Sequence, residues 1–353
     1  MGARCEPGVP ALVSDKRRFP LAKVRVAILG CGGMAGAHAQ RFLANPDVEV
    51  VACCDVSDAI VEKFVSRWFS AANPKPARFT DRAKMYRQVK PDAVSIITPH
   101  TLHFEHGMEA LDAGCHVLME KPMVTSVEDA YKLDAKVKAK KKVFVVGYNT
   151  PCTPEFNYLR EQIRAKTFGR LELVSGWLSQ NWLRATTGAW RQKPELSGGG
   201  QAYDSGAHLL NSLVWSVESN VAEVFAFIDN HGTPVDINSS INVRFENGVL
   251  ASIVIGGNCP ASSGRMHFIF DNGRADIDGW GGSWVELWQG DQKIKYPPIQ
   301  GVSNTPNDNF IDAILGRAEP RTSTANGIIQ SELMDAIYES ARTGRPAKPK
   351  RRK

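Results

Sequence analysis

The chain has 353 residues, 43% of them hydrophobic and 23% charged, with a formal net charge of +6. This balance excludes a disordered polyelectrolyte and fits a globular protein, while the length exceeds what one hydrophobic core usually organises, so two domains are expected. No apolar run is long enough to span a bilayer as a helix, and no nucleic-acid-binding motif appears.

Residues 1–22 read as an extension before the first domain. Arg17-Arg18 has the look of a twin-arginine export signal, but the next apolar run, Val24–Leu29, is short and leads into a glycine loop instead of a cleavage site. From Lys23, strand candidates Val24–Leu29, Val48–Cys54, Ala93–Thr98, His116–Met119 and Val143–Gly147 alternate with amphipathic stretches. Those stretches are Met34–Ala44, Ser57–Phe69, Arg82–Val89, Leu102–Ala113 and Ser126–Lys141. The alternation predicts a doubly wound parallel sheet with helices on both faces, a Rossmann-type domain over residues 23–149.

After Asn149 the rhythm changes. A helix at Pro154–Lys166 precedes strand-like runs Leu171–Gln180, Ala222–Ile228, Ile241–Phe245, Leu250–Ile255, Met266–Asp271 and Arg274–Asp278. Phe245-Glu246-Asn247-Gly248 and Phe270-Asp271-Asn272-Gly273 have Asn-Gly hairpin chemistry. With helices at Asn307–Leu315 and Thr324–Thr343, residues 150–345 read as an α+β domain, a mostly antiparallel, meandering open sheet flanked by helices. The basic tail, 346–353, suits a nucleic-acid or nuclear-import patch but reads first as a solvated, disordered end. The seven cysteines show neither metal-ligand spacing nor a disulfide framework, so reduced thiols and a cytoplasmic location are expected.

Gly30-x-Gly32-x-x-Ala35 lies between the first strand and the first helix. The first glycine permits a tight turn, the second lets backbone approach a pyrophosphate, and a small third residue lets helix and strand pack closely. The helix N-terminus then offers amides and partial positive charge to phosphate. Asp55 ends the second strand, where a carboxylate binds both ribose hydroxyls and repels a 2′-phosphate, which favours NAD over NADP.

Further on come Thr98-Pro99-x-x-x-His103, Ala113-Gly114-x-His116-Val117, Glu120-Lys121-Pro122, Gly198-Gly199-Gly200 and Asp204-x-Gly206-x-His208. In this order the motifs resemble the glucose–fructose oxidoreductase/inositol dehydrogenase (Gfo/Idh/MocA) family over roughly residues 23–345. The resemblance implies that His208 is the general base on a substrate hydroxyl, while Lys121 and Asp204 orient the substrate and relay the proton. It also implies a cis Lys121–Pro122 bond. Its cofactor contacts are Gly30, Gly32, Gly33, Met34, Ala35, Asp55, Thr98, Pro99, His103, Glu120, Lys121 and Asn149. A homodimer or homotetramer is implied too.

Asp204 and His208, four apart, are expected to share one helix face. His100, His103 and His106 recur every third residue, but no cysteine or carboxylate stands at ligand spacing, so no metal is expected. Trp177, Asn181, Trp182, Arg184, Trp190 and Arg191 combine aromatic faces with hydrogen-bond donors, which suits a polyhydroxylated ring. Among them Trp182 and Arg191 join Lys121, Asn149, Asp204 and His208 as expected substrate contacts.

Three positions depart from the family pattern. Asn149-Thr150-Pro151-Cys152-Thr153-Pro154 lacks the arginine and aromatic that relatives often carry. Asn211 stands where relatives often have aspartate, and His100 where many have asparagine. The first two border the substrate side and bear on the identity of the substrate more than on the reaction, while nothing in the sequence explains the His100 difference. The expected function is an NAD-dependent oxidoreductase acting on a sugar, cyclic polyol or sugar derivative. A redox-neutral glycosidase that uses NAD transiently, and a dinucleotide-sensing regulator, stay as alternatives.

Overall fold

In a computed structural model that describes residues 22–295 and 304–352, the alternation beginning at Lys23 folds into one parallel sheet. The elements are β1 (Val24–Leu29), α1 (Ala35–Ala44), β2 (Val48–Cys54), α2 (Asp58–Trp68), β3 (Ala77–Phe79), α3 (Arg82–Val89), β4 (Ala93–Ile96), α4 (His103–Asp112), β5 (His116–Met119), α5 (Val127–Lys140) and β6 (Phe144–Val146). The order is β3-β2-β1-β4-β5-β6, every pair parallel. Helices cover both faces, so β1 and β4 are almost wholly buried and apolar. Local chemistry sets the helix ends: Ser126 accepts from the Asp129 amide, and Lys141 closes α5 in the left-handed region. Edge strand β3 escapes the periodicity because Ala-Arg-Phe is only three residues long.

A parallel sheet sends all its strand carboxyl ends to one edge. The glycine loop follows β1, Asp55 follows β2, Thr98-Pro99 follows β4, Glu120-Lys121 follows β5 and Asn149 follows β6. Residues scattered over 120 positions of sequence therefore converge by topology alone.

The second half contains α6 (Pro154–Ala165), β7 (Leu171–Ser179), α7 (Trp182–Ala185), α8 (Pro194–Ser197), α9 (Gly206–Val217), β8 (Val221–Asp229), β9 (Asn238–Phe245), β10 (Leu250–Gly256), β11 (Ser263–Phe270), β12 (Gly273–Asp278), β13 (Val285–Gln289), β14 (Gln292–Ile294), α10 (Pro306–Ile314) and α11 (Thr324–Thr343). Both Asn-Gly hairpins form, β9–β10 and β11–β12. The sheet is mostly antiparallel and mostly meandering, as expected, with one departure. The order is β14-β13-β12-β11-β7-β10-β9-β8, with β7 inserted between the hairpins and parallel to β10. Turn chemistry fixes local pairing only, and the placement of β7 is a long-range choice.

α9 and α11 pack one face of this sheet, burying Val174, Leu178, Ile253, Phe268 and Leu333. The opposite face carries Leu173, Trp177, Phe227, Leu250 and Val254, each at least 39% exposed. α10 returns to the parallel sheet, where Phe310 and Ile311 join Val26 and Phe42 in one cluster.

One expectation changes at the chain ends. The extension lies outside the described residues apart from Ala22. The basic tail is not a free end up to Arg352: Ala347 pairs through both backbone groups with Val224 of β8, and Arg351 bonds Glu246, Glu332 and the Val221 carbonyl. An edge strand offers unpaired backbone groups, which gives the tail something to bind.

Candidate active site

Gly30 takes φ +91°, and a Cβ there would meet the Ile97 carbonyl oxygen at 2.5 Å, so only glycine passes this point. Gly32 and Gly33 have nothing within 4 Å of an added Cβ and open onto a cavity of about 950 Å³. No side chain caps α1, which leaves its positive end to an anion. Asp55 is held by two amides: Oδ2 accepts from Cys31 at 2.9 Å and Oδ1 from Ser57 at 3.3 Å. The cavity is lined by Asp55 and Arg82 from the first half of the chain and by His208 and Trp280 from the second. Its glycine cradle, bare helix end and carboxylate wall fit a dinucleotide.

Most of the expected site residues line this space: Gly30, Gly32, Gly33, Met34, Asp55, Thr98, Pro99, Glu120, Lys121, Asn149, Trp182, Arg191, Asp204 and His208. Ala35 and His103 do not. Ala35 is wholly buried in the core behind the loop. His103 is wholly buried as well, with Nδ1 2.7 Å from the Pro122 carbonyl and Nε2 2.9 Å from that of Thr98. It ties the β4 loop to the β5 loop from behind the wall. Burial pulls its pKa down, although both carbonyls favour a proton.

The three regularly spaced histidines part company. His100 Nδ1 bonds the Ser197 carbonyl at 3.0 Å, and His106 lies between Thr98 Oγ1 and Arg82 Nη1. Among the described residues no group of three or more His, Cys, Asp or Glu is arranged to hold a metal ion.

The Lys121–Pro122 bond is cis. Lys121 Nζ donates to Asp204 Oδ1 at 2.6 Å and to the Asp204 carbonyl at 3.0 Å. Asp204 Oδ2 accepts from Trp182 Nε1 at 2.8 Å and Arg191 Nε at 2.9 Å. Burial alone would raise the Asp204 pKa, but the surrounding charges, Lys121 first, hold the carboxyl well below its usual range. Glu120 accepts from His38 Nε2 at 2.9 Å and from the Lys121 amide at 3.2 Å. Its burial is outweighed by the His38 hydrogen bond, and the carboxyl falls to about 2.

Asp204 is not on the expected helix. α9 begins at Gly206, so Asp204 precedes it while His208 sits in its first turn. Both still reach the cavity because buried Asp236 pins the approach, accepting from the Gly200 amide at 2.6 Å, the Ala202 amide at 2.7 Å and the Tyr338 hydroxyl. A Cβ on Gly200 would lie 1.9 Å from the Asp236 carbonyl oxygen, which explains that member of the glycine run.

The His208 ring stands edge-on to Tyr148 and Trp280, at centroid distances of 5.7 and 5.3 Å, and has no protein hydrogen-bond partner among the described residues. Burial first, then the charge of Lys121, pushes its pKa down to about 4. At neutral pH it is a free base facing the cavity.

Of the aromatic and polar group expected near substrate, Trp190 also lines the cavity, whereas Asn181 and Arg184 do not, and Trp177 points out of the open sheet face. Trp182 reaches the cavity while 4% exposed and gives its N–H to Asp204. Sequence reasoning missed Trp280 and Arg82, which stand in a glycine-rich loop and a helix start without any motif to mark them.

Residues 24–148 match the oxidoreductase family with an NAD-binding Rossmann fold, GFO/IDH/MocA, and residues 156–276 match a C-terminal domain of the same family. The chain is 24% identical to D-glucoside 3-dehydrogenase of Escherichia coli over 91% of this chain and 96% of that protein. It is 25% identical to an α-N-acetylgalactosaminidase of Shewanella oneidensis, over 60% of this chain and 48% of that protein. An NAD-binding protein from Listeria innocua superposes with a TM-score of 0.78 at 27% identity, covering 92% of this chain and 97% of that one. The chain thus belongs to the Gfo/Idh/MocA oxidoreductases, with NAD as the cofactor of its Rossmann half.

Proposed function

We propose that the protein oxidises a secondary ring hydroxyl of a sugar, cyclic polyol or sugar derivative, with a D-glucoside as the first class to test. The observation that carries this reading is one cavity shared by the glycine loop, Lys121, Asp204 and a His208 with no hydrogen-bond partner among the described residues. The relationship to D-glucoside 3-dehydrogenase supports the substrate class.

Bound NAD supplies the acceptor for the hydride leaving the substrate carbon. His208 takes the hydroxyl proton, as a neutral imidazole at physiological pH can. Lys121 donates to the same oxygen and offsets the negative charge that grows there as the C–H electrons depart and the C=O bond forms. Asp204 holds Lys121 in place and is itself fixed by Trp182 and Arg191. His103 is a positioning residue for the loops carrying Thr98 and Lys121.

A panel of methyl glucosides, cyclitols, uronates and aryl glycosides tests this, following nicotinamide absorbance with and without added NAD. NADH accumulation with one member is the expected result. The α-N-acetylgalactosaminidase relative favours a second reading, oxidation followed by elimination of a glycosidic bond. Release of the aryl group without net NADH would select it.

The open sheet face supports assembly as a homodimer or homotetramer, and the free, mostly buried cysteines support a reducing, cytoplasmic compartment.

A further inference from the structure

His100 is 3% exposed, and nothing in the reaction above uses it. Its orientation is fixed from two sides: Nδ1 lies 3.0 Å from the Ser197 carbonyl, and the Trp190 ring meets it edge-on at 4.9 Å and 89°. A carbonyl oxygen can only accept, so Nδ1 carries the hydrogen. Burial pushes the ring's pKa down to about 3, so the imidazole is neutral and Nε2 keeps a lone pair. That nitrogen is 3.8 Å from Asp204 Oδ1, beyond hydrogen-bond distance, and the ring lines the cavity.

Two buried acceptors therefore face each other across a gap that only a donor can fill. Lys121 serves the carboxylate side of this gap. His100 has no donor of its own among the described residues. A substrate carboxylate here would add a third acceptor, whereas a neutral hydroxyl would satisfy the nitrogen. Hydroxyls on adjacent ring carbons lie close enough that, with one on Lys121, its neighbour falls beside Asp204 Oδ1 and His100.

We propose that His100 Nε2 accepts a hydrogen bond from the hydroxyl on the carbon next to the one oxidised, which makes the pocket selective for vicinal diols. This rests on the dehydrogenase reading, whose substrate class it narrows. His100 here is a specificity-determining residue and moves no proton.

The test uses NAD-loaded protein with methyl β-D-glucopyranoside and its analogues lacking the hydroxyl at carbon 2 or carbon 4. In the wild type, removing one flanking hydroxyl should lower kcat/KM about tenfold, the order expected for one buried hydrogen bond. In His100→Phe and His100→Leu, which carry no acceptor, the same removal should cost no more than about twofold. An equal loss in wild type and variants, or wild-type indifference to both removals, overturns the assignment.

Calorimetric binding of the three sugars is read in parallel. Binding that shows the His100 coupling without turnover would sink the dehydrogenase reading and leave the His100 contact standing; turnover without coupling would do the reverse. Failure to bind methyl β-D-glucopyranoside or myo-inositol at all would overturn both. Should the variants not fold, long-range proton–nitrogen NMR of the wild type decides. The His100 Nε2 resonance should move toward the hydrogen-bonded position when methyl β-D-glucopyranoside is added, and a static resonance beside a moving His208 overturns the proposal.

Discussion

Lys121 Nζ lies 2.6 Å from Asp204 Oδ1, joining the end of β5 to the segment that delivers α9. The two side chains are 12% and 7% exposed, so neither charge has much water to turn to. Asp204→Asn keeps the shape and removes the countercharge, stranding Lys121 and partly Arg191. A loss of about 3 kcal/mol is expected, the scale for breaking one side of a buried pair. Denaturant unfolding checks it, and a midpoint equal to wild type would show that the pair contributes no stability.

In the proposed reaction His208 and Lys121 act on one substrate oxygen. His208→Gln and Lys121→Met are expected to lower kcat by about 10²–10⁴, the range for a positioned acid–base group. NAD affinity, read by fluorescence titration, should stay near wild type, because the glycine loop and Asp55 are untouched. Loss of NAD binding along with turnover would place these side chains on the cofactor instead.

Asp55 holds its carboxylate against the Cys31 and Ser57 amides. Asp55→Ser should weaken NAD about tenfold by removing acceptors for the ribose and should strengthen NADP by removing a repelling charge. Titrating both nucleotides against both proteins gives the ratio. A variant that loses NAD without gaining NADP would locate the discrimination elsewhere.

Burial pushes His208 down to about 4 and His100 to about 3, against 6.5 for an unstrained histidine. The unfolded chain therefore binds more protons than the folded one below pH 6.5. Stability is full above that pH and falls as the pH drops toward 4, by about 2 kcal/mol per buried imidazole at pH 5. His208→Gln should remove its share, narrowing the gap between stabilities measured at pH 7 and pH 5. An unchanged gap would mean that His208 titrates alike in both states.

The exposed face of the second sheet presents Trp177 on β7 and Val254 on β10, which pair directly across the parallel ladder. Trp177→Glu combined with Val254→Lys should shift the proposed oligomer toward monomer in light scattering, while folding stays intact. If mass and cooperativity are unmoved, the assembly uses another surface.

The parallel half, β3 apart, was legible almost to the residue because most of its elements carry their own period. β2 and α3 have the bounds that periodicity predicts, and Ser126 caps α5 as its chemistry suggests. The second half was legible hairpin by hairpin but not in its order, since β7 finds its partners seventy and more residues downstream. Trp177 and Trp182 show the same limit: five positions apart, one faces solvent by strand alternation and the other turns inward to Asp204.

From its own letters the chain specified a strand–glycine–helix cradle, a carboxylate after the second strand, and motifs bearing Lys121 and His208, because turn geometry and strand ends depend on neighbours in sequence. Only the folded chain decided that His103 stands behind the wall, that Asp204 precedes its helix and answers to three donors, and that His100 turns a bare nitrogen inward. Those outcomes depend on which distant backbone oxygen or side chain each group meets, and such partners are chosen by packing.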